Sequence, residues 1–175
     1  IRETAFCKPK APYGKAKLKS TLYLQKMFKK NNFPATILRL FQAYGPKQDL
    51  NRVVPITINS CINNKSFPCS NGKQLRDFIH VNDVVEAIFK SFKNKSSTGE
   101  IINIGSGRPI KIRGLIKKIV HLTGGGKPEF GQIPLRRDET KKNFPDISKA
   151  KKILKWKNKI NLLEGLKKTI KSYRQ

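Results

Sequence analysis

The stretch ATILRLF, residues 35–41, is a short apolar run rich in β-formers, and the polar segment QAYGPKQ, residues 42–48, follows it. The run reads as a buried strand and the segment after it as a loop. On the N-terminal side, Leu18, Leu22, Leu24, Met27 and Phe28 recur at helical spacing between Tyr13 and Asn31. That spacing predicts a helix with one buried stripe, closed by Asn31, Asn32 and Pro34. Residues 1–12, with Pro9 and Pro12, read as loop.

On the C-terminal side the alternation continues. Residues 53–64 read as a helix despite their β-branched content. SFPCSNGKQ (66–74) has the composition of a strand and a turn, with Asn71-Gly72 as the turn. RDFIHV (76–81) is a second strand, and Asn82 or Asp83 is placed to cap a helix running to about Phe92. Residues 93–99 are a loop, and EIINIG (100–105) is a strand broken by Gly105 and Gly107. Residues 110–123 are an amphipathic helix ended by Gly124, Gly125 and Gly126. Residues 124–145 read mostly as loop, with a short strand near Glu129-Phe130. A Ser-capped helix over 148–156 and a last helix over 161–173, with Leu163, Leu166 and Ile170 on one face, complete the pattern. Strands alternating with helices argue for an α/β protein. No G-x-G-x-x-G or G-x-x-G-x-x-G occurs, so the sequence lacks the turn by which such folds hold a dinucleotide pyrophosphate.

Composition narrows the function. The 175 residues suit one domain with a real core. The net charge is +27, from 38 basic and 11 acidic residues. Of the basic residues 29 are Lys and 9 are Arg, and the lysines are spread over every segment. Arg is the better match to phosphates and guanine edges, so the pattern reads as solvated helix faces rather than a nucleic-acid module. Cys7, Cys61 and Cys69 match neither a zinc site nor a disulfide framework, and two histidines are too few for a His-based metal site. The cysteines read as reduced thiols in a cytoplasmic protein. No apolar run approaches the ~20 residues that span a bilayer.

The chemically suggestive spacing is Tyr13-x-x-x-Lys17 at a helix start. Residues four apart share a helix face, and an ammonium beside a phenol favours the phenolate. Such a phenol can exchange a proton with a sugar hydroxyl or carbonyl while hydride moves at the adjacent carbon. A Tyr–Lys pair in a Lys-rich chain also arises by chance, as an aromatic at a helix start. Its neighbourhood decides the matter. Pro12-Tyr13-Gly14-Lys15-Ala16-Lys17, LRLFQAYGP, RDFIHVNDVVEAI and INIGSG occur in order, followed by PLRRDE, PDISKAKKILKW and NLLEGLKKTI. Together they resemble the extended short-chain dehydrogenase/reductase family, in its branch of nucleotide-sugar epimerases and dehydratases, over almost the whole chain.

The resemblance implies a partial Rossmann-like fold. It would lack the N-terminal dinucleotide-binding half and include a small C-terminal substrate-binding subdomain interleaved with the later Rossmann elements. It implies NAD or NADP as cofactor and a nucleoside-diphosphate sugar as substrate. Tyr13 would be the catalytic acid/base, and Lys17 would support it and hold the nicotinamide ribose. Phe41, Gln42 and Ala43 would lie near the reacting ring, with Gln42 standing where relatives commonly have Asn. Asn51 and Arg52 would edge the substrate site. Arg76 would reach the diphosphate, with Arg136, in an R-x-x-E pattern with Glu139, as a second such arginine. Arg137 could take that role instead, and either arginine could be a surface ion-pair partner. Asp77 and Asp83 are expected to be structural and His80 to be packed. The resemblance also implies dimerisation through the Tyr13 helix. The family's Gly-rich turn and its substrate-contacting Ser or Thr would stand ahead of Ile1. The 175 residues alone would then do no redox chemistry. A ketone reductase is the alternative within the family, and a basic nucleic-acid module the alternative outside it.

Overall fold

The computed structural model describes residues 1–136 and 139–174. Its elements run α1 (Pro12–Asn31), β1 (Ile37–Leu40), β2 (Gln42–Tyr44), α2 (Val53–Ile62), β3 (Ser66–Cys69), β4 (Leu75–Arg76), β5 (Phe78–His80) and α3 (Val81–Lys93). A 3-10 turn (Lys95–Ser97) leads to β6 (Ile101–Ile104), β7 (Ile110–Lys111), α4 (Ile112–Thr123), β8 (Lys127–Phe130), β9 (Lys142–Asn143), α5 (Ser148–Leu154) and α6 (Leu162–Tyr173). The expected α/β alternation is present, and the long-range pairings β1–β6, β2–β5 and β3–β8 are parallel.

The strand that opened the sequence reading changes partner midway. β1 pairs with β6, Ile37 opposite Ile101, and the Phe41 N–H donates to Ile104 O. One residue on, the Gln42 N–H donates to Asp77 O, and β2 runs parallel to β5. QAY, expected as loop, is therefore strand, because residues 78–80 supply a ladder that no local pattern reveals. The predicted single strand RDFIHV is likewise two. Its break is Asp77, fully buried, whose carboxylate accepts the Ser106 N–H (2.6 Å), the Ser106 hydroxyl (3.0 Å) and the Arg108 N–H (3.0 Å). Burial raises the Asp77 pKa, and these bonds oppose the rise. Asp77 thereby sends β4 into a small sheet with β7 and β9 while β5 stays beside β2.

Helix ends differ in detail from their predicted caps. His80, not Asn82 or Asp83, caps α3: its Nδ1 accepts the Asn82 N–H at 3.3 Å. Asp83 is buried and instead accepts the N–H groups of Lys159 (2.9 Å) and Ile160 (3.1 Å). The Trp156 indole N–H donates to the Asp83 carbonyl. In α5, Ser148 lies in the first turn and gives its N–H to the Asp146 carboxylate (2.9 Å). That helix stops at Leu154, because Lys155 turns left-handed (φ 48°) and drives Trp156 into the core. In α6, Asn161 accepts the Glu164 N–H. Leu166 and Ile170 are buried as expected, whereas Leu163 is exposed and Gly165 and Thr169 share the inner face. Asn71-Gly72 does turn, with Gly72 at φ 68° and the Lys73 N–H on Asn71 Oδ1, but β3 takes β8 as partner rather than closing a hairpin.

The core has two parts. One gathers Ile79, Val84, Ala87, Ile102, Ile104, Ala150, Leu154 and Trp156 from β5, β6, α3, α5 and the turn after it. The other gathers Tyr44, Val54, Ile58, Phe67, Leu115, Ile119, Leu166 and Ile170 from β2, α2, β3, α4 and α6. The chain crosses between them repeatedly. α1 joins neither core with a buried residue: Leu18, Leu24, Met27 and Phe28 are half-buried and Leu22 is exposed. The expected buried stripe is absent, since helical spacing shows which side chains share a face and not how much protein covers it. Among the described residues no helix is long and apolar enough to cross a membrane.

Candidate functional site

Tyr13 stands in the first turn of α1, one residue after Pro12, whose fixed φ suits a helix start. The phenol is exposed, and the Lys17 ammonium lies over its ring at 5.6 Å from the centroid. The i, i+4 spacing thus brings the pair together as expected, in a cation–π arrangement.

Tyr13 lines a cavity of about 380 Å³ with Phe41, Gln42, Ala43, Gln48 and Arg52. These residues meet because the chain bends from β1 into β2 at Phe41 and returns through the turn before α2. Gln48 is held by its own amide, which donates to Ala43 O at 2.8 Å, while its Oε1 is buried without a partner. A second cavity, of about 410 Å³, shares Gln42, Arg52, Val53 and Phe78 with the first. The two cavities therefore adjoin across these four residues. Asn51, Arg76, Arg136 and Glu139 line the second cavity. Lys17 lines neither. Arg137 lies outside the described residues.

Among the described residues the charged groups of the second cavity are three guanidiniums and one carboxylate. Arg76 is buried, donates through Nη1 to Leu75 O (2.8 Å) and forms an ion pair through Nη2 with Glu139. Arg76 is thus an ion-pair partner, buried rather than at the surface, and it also lines the second cavity. Within R-x-x-E, Glu139 therefore serves Arg76 and not Arg136, whose carbonyl accepts the Glu139 N–H. Among the described residues Arg52 and Arg136 have no carboxylate partner. Such forks suit anionic oxygens, which they hold in paired, charge-assisted bonds. The rest of the lining is largely apolar, with Phe67, Phe78, Ile112, Ile116 and Ile133. Phe67, Cys69, Gln74 and Phe78 escaped the sequence reading. The alternation in SFPC, with Phe67 and Cys69 both inward, was the signal for two of them. Burial pushes the Cys69 thiol pKa up, which keeps it a neutral part of the wall.

The α/β chain thus sets a phenol–ammonium pair beside one cavity and, in the adjoining one, guanidiniums of which Arg52 and Arg136 have no carboxylate partner among the described residues. The family model for the NAD dependent epimerase/dehydratase family matches residues 1–105, and the chain belongs to that family. This agrees with the resemblance carried by the ordered motifs. The human dTDP-D-glucose 4,6-dehydratase is 31% identical over 174 residues, covering 95% of this chain and 49% of that protein. A putative UDP-glucose 4-epimerase of Methanocaldococcus jannaschii is 32% identical over 166 residues, covering 93% of this chain and 53% of that one. The crystal structure of the Thermotoga maritima UDP-glucose 4-epimerase with UDP-glucose superposes with a TM-score of 0.93 at 32% identity. It covers 99% of this chain and 57% of that one. The Bacillus cereus UDP-glucuronic acid 4-epimerase, solved with UDP-glucuronic acid and NAD, gives 0.90 at 27% identity, covering 99% and 56%. The chain spans about half the length of the relatives it matches.

Proposed function

We propose that this chain forms the substrate side and the acid/base of an NAD(P)-dependent nucleotide-sugar epimerase or dehydratase, with the later Rossmann elements and the substrate-binding subdomain interleaved along it. The observation that carries the reading is the adjacency of the Tyr13 cavity and the cavity lined by Arg76 and Arg136, which share Gln42, Arg52, Val53 and Phe78. A nucleoside-diphosphate sugar has the matching order of parts. Its sugar lies beside Tyr13 and its diphosphate beside Arg52, Arg136 and the donors Arg76 retains. Its base lies along Phe67 and Phe78. Glu139 holds the Arg76 guanidinium in place.

The residues fit one end of a nicotinamide cofactor. Lys17 would donate to a ribose hydroxyl, and Phe41 and Gln42 would meet the ring beside the sugar. When bound, the nicotinamide supplies the acceptor and donor of hydride at the sugar carbon. Tyr13 takes the proton of the sugar C4 hydroxyl as that carbon is oxidised and returns it on reduction. The NAD in the Bacillus cereus relative and the UDP-sugars in both solved relatives support the same assignment here.

The test is calorimetric titration of the chain with UDP-glucose. Hydrogen bonds to charged groups contribute about 1.5–3 kcal/mol each, so Arg136→Gln or Arg52→Gln is expected to weaken binding about 10- to 150-fold. Tyr13→Phe is expected to leave that binding within about twofold, because the phenol contributes to proton transfer rather than to holding the diphosphate. Equal affinity in the wild type and both arginine variants refutes the reading.

A further inference from the structure

We infer that His80 is a pH switch for the Tyr13 cavity: a second proton displaces its ring, releases Tyr44 and weakens ligand binding. His80 is 2% exposed and stands opposite Tyr44 where β5 pairs with β2. The two rings meet edge-on, with centroids 5.6 Å apart. Two glycines make room for the imidazole. A Cβ at Gly165 would lie 3.2 Å from its Cδ2, and one at Gly45 would lie 3.8 Å from its Nε2. Tyr44 links this packing to the cavity. It lines the cavity beside Tyr13, and its hydroxyl donates to Leu162 O at 3.3 Å in the first turn of α6. The last turn of α6 reaches the same wall, since the Tyr173 hydroxyl donates to Gln48 O at 2.9 Å.

Both ring nitrogens are committed to the neutral imidazole. Nδ1 accepts the Asn82 N–H at 3.3 Å, which puts the one proton of the neutral ring on Nε2. A second proton can go only to Nδ1, where it faces the Asn82 N–H donor to donor, and the cap of α3 is lost. Nε2 is buried and has no partner among the described residues, so the cation gains no bond there. The ring also stands at the positive end of the α3 dipole, where a cation is disfavoured. Burial acts most strongly against the charge, Asp83 of α3 favours it, Lys168 of α6 opposes it and Glu164 of α6 favours it. The two carboxylates are engaged elsewhere. Asp83 accepts the Lys159 and Ile160 N–H groups, and Glu164 pairs with Lys168 at 2.8 Å. The Tyr44 phenol faces the ring from β2 and stays neutral, because burial raises its pKa. The imidazolium is therefore accommodated only by leaving its place between Tyr44 and α6, and the cavity wall loses its support.

The test is calorimetric titration of the chain with UDP-glucose from about pH 8 to about pH 5, a range over which the diphosphate keeps its charge. UDP-glucose as the probe rests on the function proposed above. Binding confined to the neutral His80 state gives an affinity that is flat at high pH and falls towards about tenfold per pH unit at the acid end. His80→Asn keeps a capping side chain that does not titrate, so its affinity should vary by less than about twofold over the range. The chain has one other histidine, His121, exposed on α4, and His121→Asn should keep the wild-type fall. A flat wild-type profile, or an equal fall in His80→Asn, overturns the inference. Nitrogen NMR of the ligand-free chain reads the switch separately. It should show the proton on Nε2 near neutral pH, and protonation of Nδ1 in acid together with a shift of the Tyr44 ring resonances and loss of the protected Asn82 amide. Tyr44 resonances that stay fixed while His80 titrates would overturn the inference. A wild-type chain that does not bind UDP-glucose near neutral pH counts against the proposed function alone, and the NMR titration then decides the switch.

Discussion

Replacing Gly165 with Ala tests how the two ends of the substrate-side core are joined. Gly165 is buried in α6 with the Tyr44 ring lying across it, and a Cβ there would overlap the Tyr44 hydroxyl and come within 2.9 Å of Cζ. Tyr44 is itself buried, donates to Leu162 O and meets the His80 ring edge-on at 5.6 Å. A helical Gly→Ala change is ordinarily worth about 1 kcal/mol of stability. Here overpacking costs about 1–3 kcal/mol, and losing the Tyr44 hydrogen bond costs about 1 kcal/mol more. The net expectation is a destabilisation of about 1–3 kcal/mol. With a urea slope of about 1–3 kcal/mol/M, the midpoint should fall by roughly 1 M. Gly114 provides the control. It lies in α4, where a Cβ would meet only Ile110 at ordinary contact distance, 3.4 Å and beyond. Gly114→Ala should therefore stabilise by up to about 1 kcal/mol. Tyr44 also lines the Tyr13 cavity, so Gly165→Ala should weaken UDP-glucose binding while Gly114→Ala does not. A Gly165→Ala chain as stable as wild type would refute the packing of α6 on Tyr44.

Three further expectations follow from buried polar groups. Burial lowers the His80 pKa, and its Nδ1 must stay unprotonated to accept the Asn82 N–H. The unfolded chain then binds more protons than the folded one below about pH 6.5, so stability present above that value is lost as pH falls through it towards the lower folded pKa. Urea midpoints at pH 7.5 and 5.5 should show this loss, and His80→Asn, which retains a capping side chain, should remove that component. Asp77→Ala strands the Ser106 and Arg108 N–H donors and should cost about 1–3 kcal/mol for each that finds no water. A midpoint indistinguishable from wild type would contradict the anchoring role of Asp77. Cys7 is exposed, whereas Cys61 and Cys69 are buried with their thiol pKa values raised by that burial. Ellman's reagent should thus titrate one thiol quickly in the native chain and three in urea, and rapid reaction of all three without urea would contradict the packing of α2 and β3.

Much of this protein was legible before any tertiary contact was known. Periodicity located every helix and the strands at 37–40 and 101–104, because a 3.6-residue repeat and a run of β-branched residues are local properties. The Tyr13–Lys17 contact followed from the same helical geometry, and the order of the motifs pointed to the family. Tertiary structure alone decided what depends on partners far along the chain. The extension of the Phe41 strand into β2 needed residues 78–80, and the break at Asp77 needed the Ser106 loop. Nothing near Asp83 in sequence announces that its carboxylate holds residues 159 and 160 rather than its own helix. The pairing of Arg76 with Glu139 spans 63 residues. A helix pattern could not reveal that the stripe of α1 is only half-buried, because burial is set by what packs against a face and not by the face itself. The adjacency of the Tyr13 and arginine cavities at Gln42 and Arg52 has the same origin: stretches of chain that are remote in sequence converge where the strand changes partners.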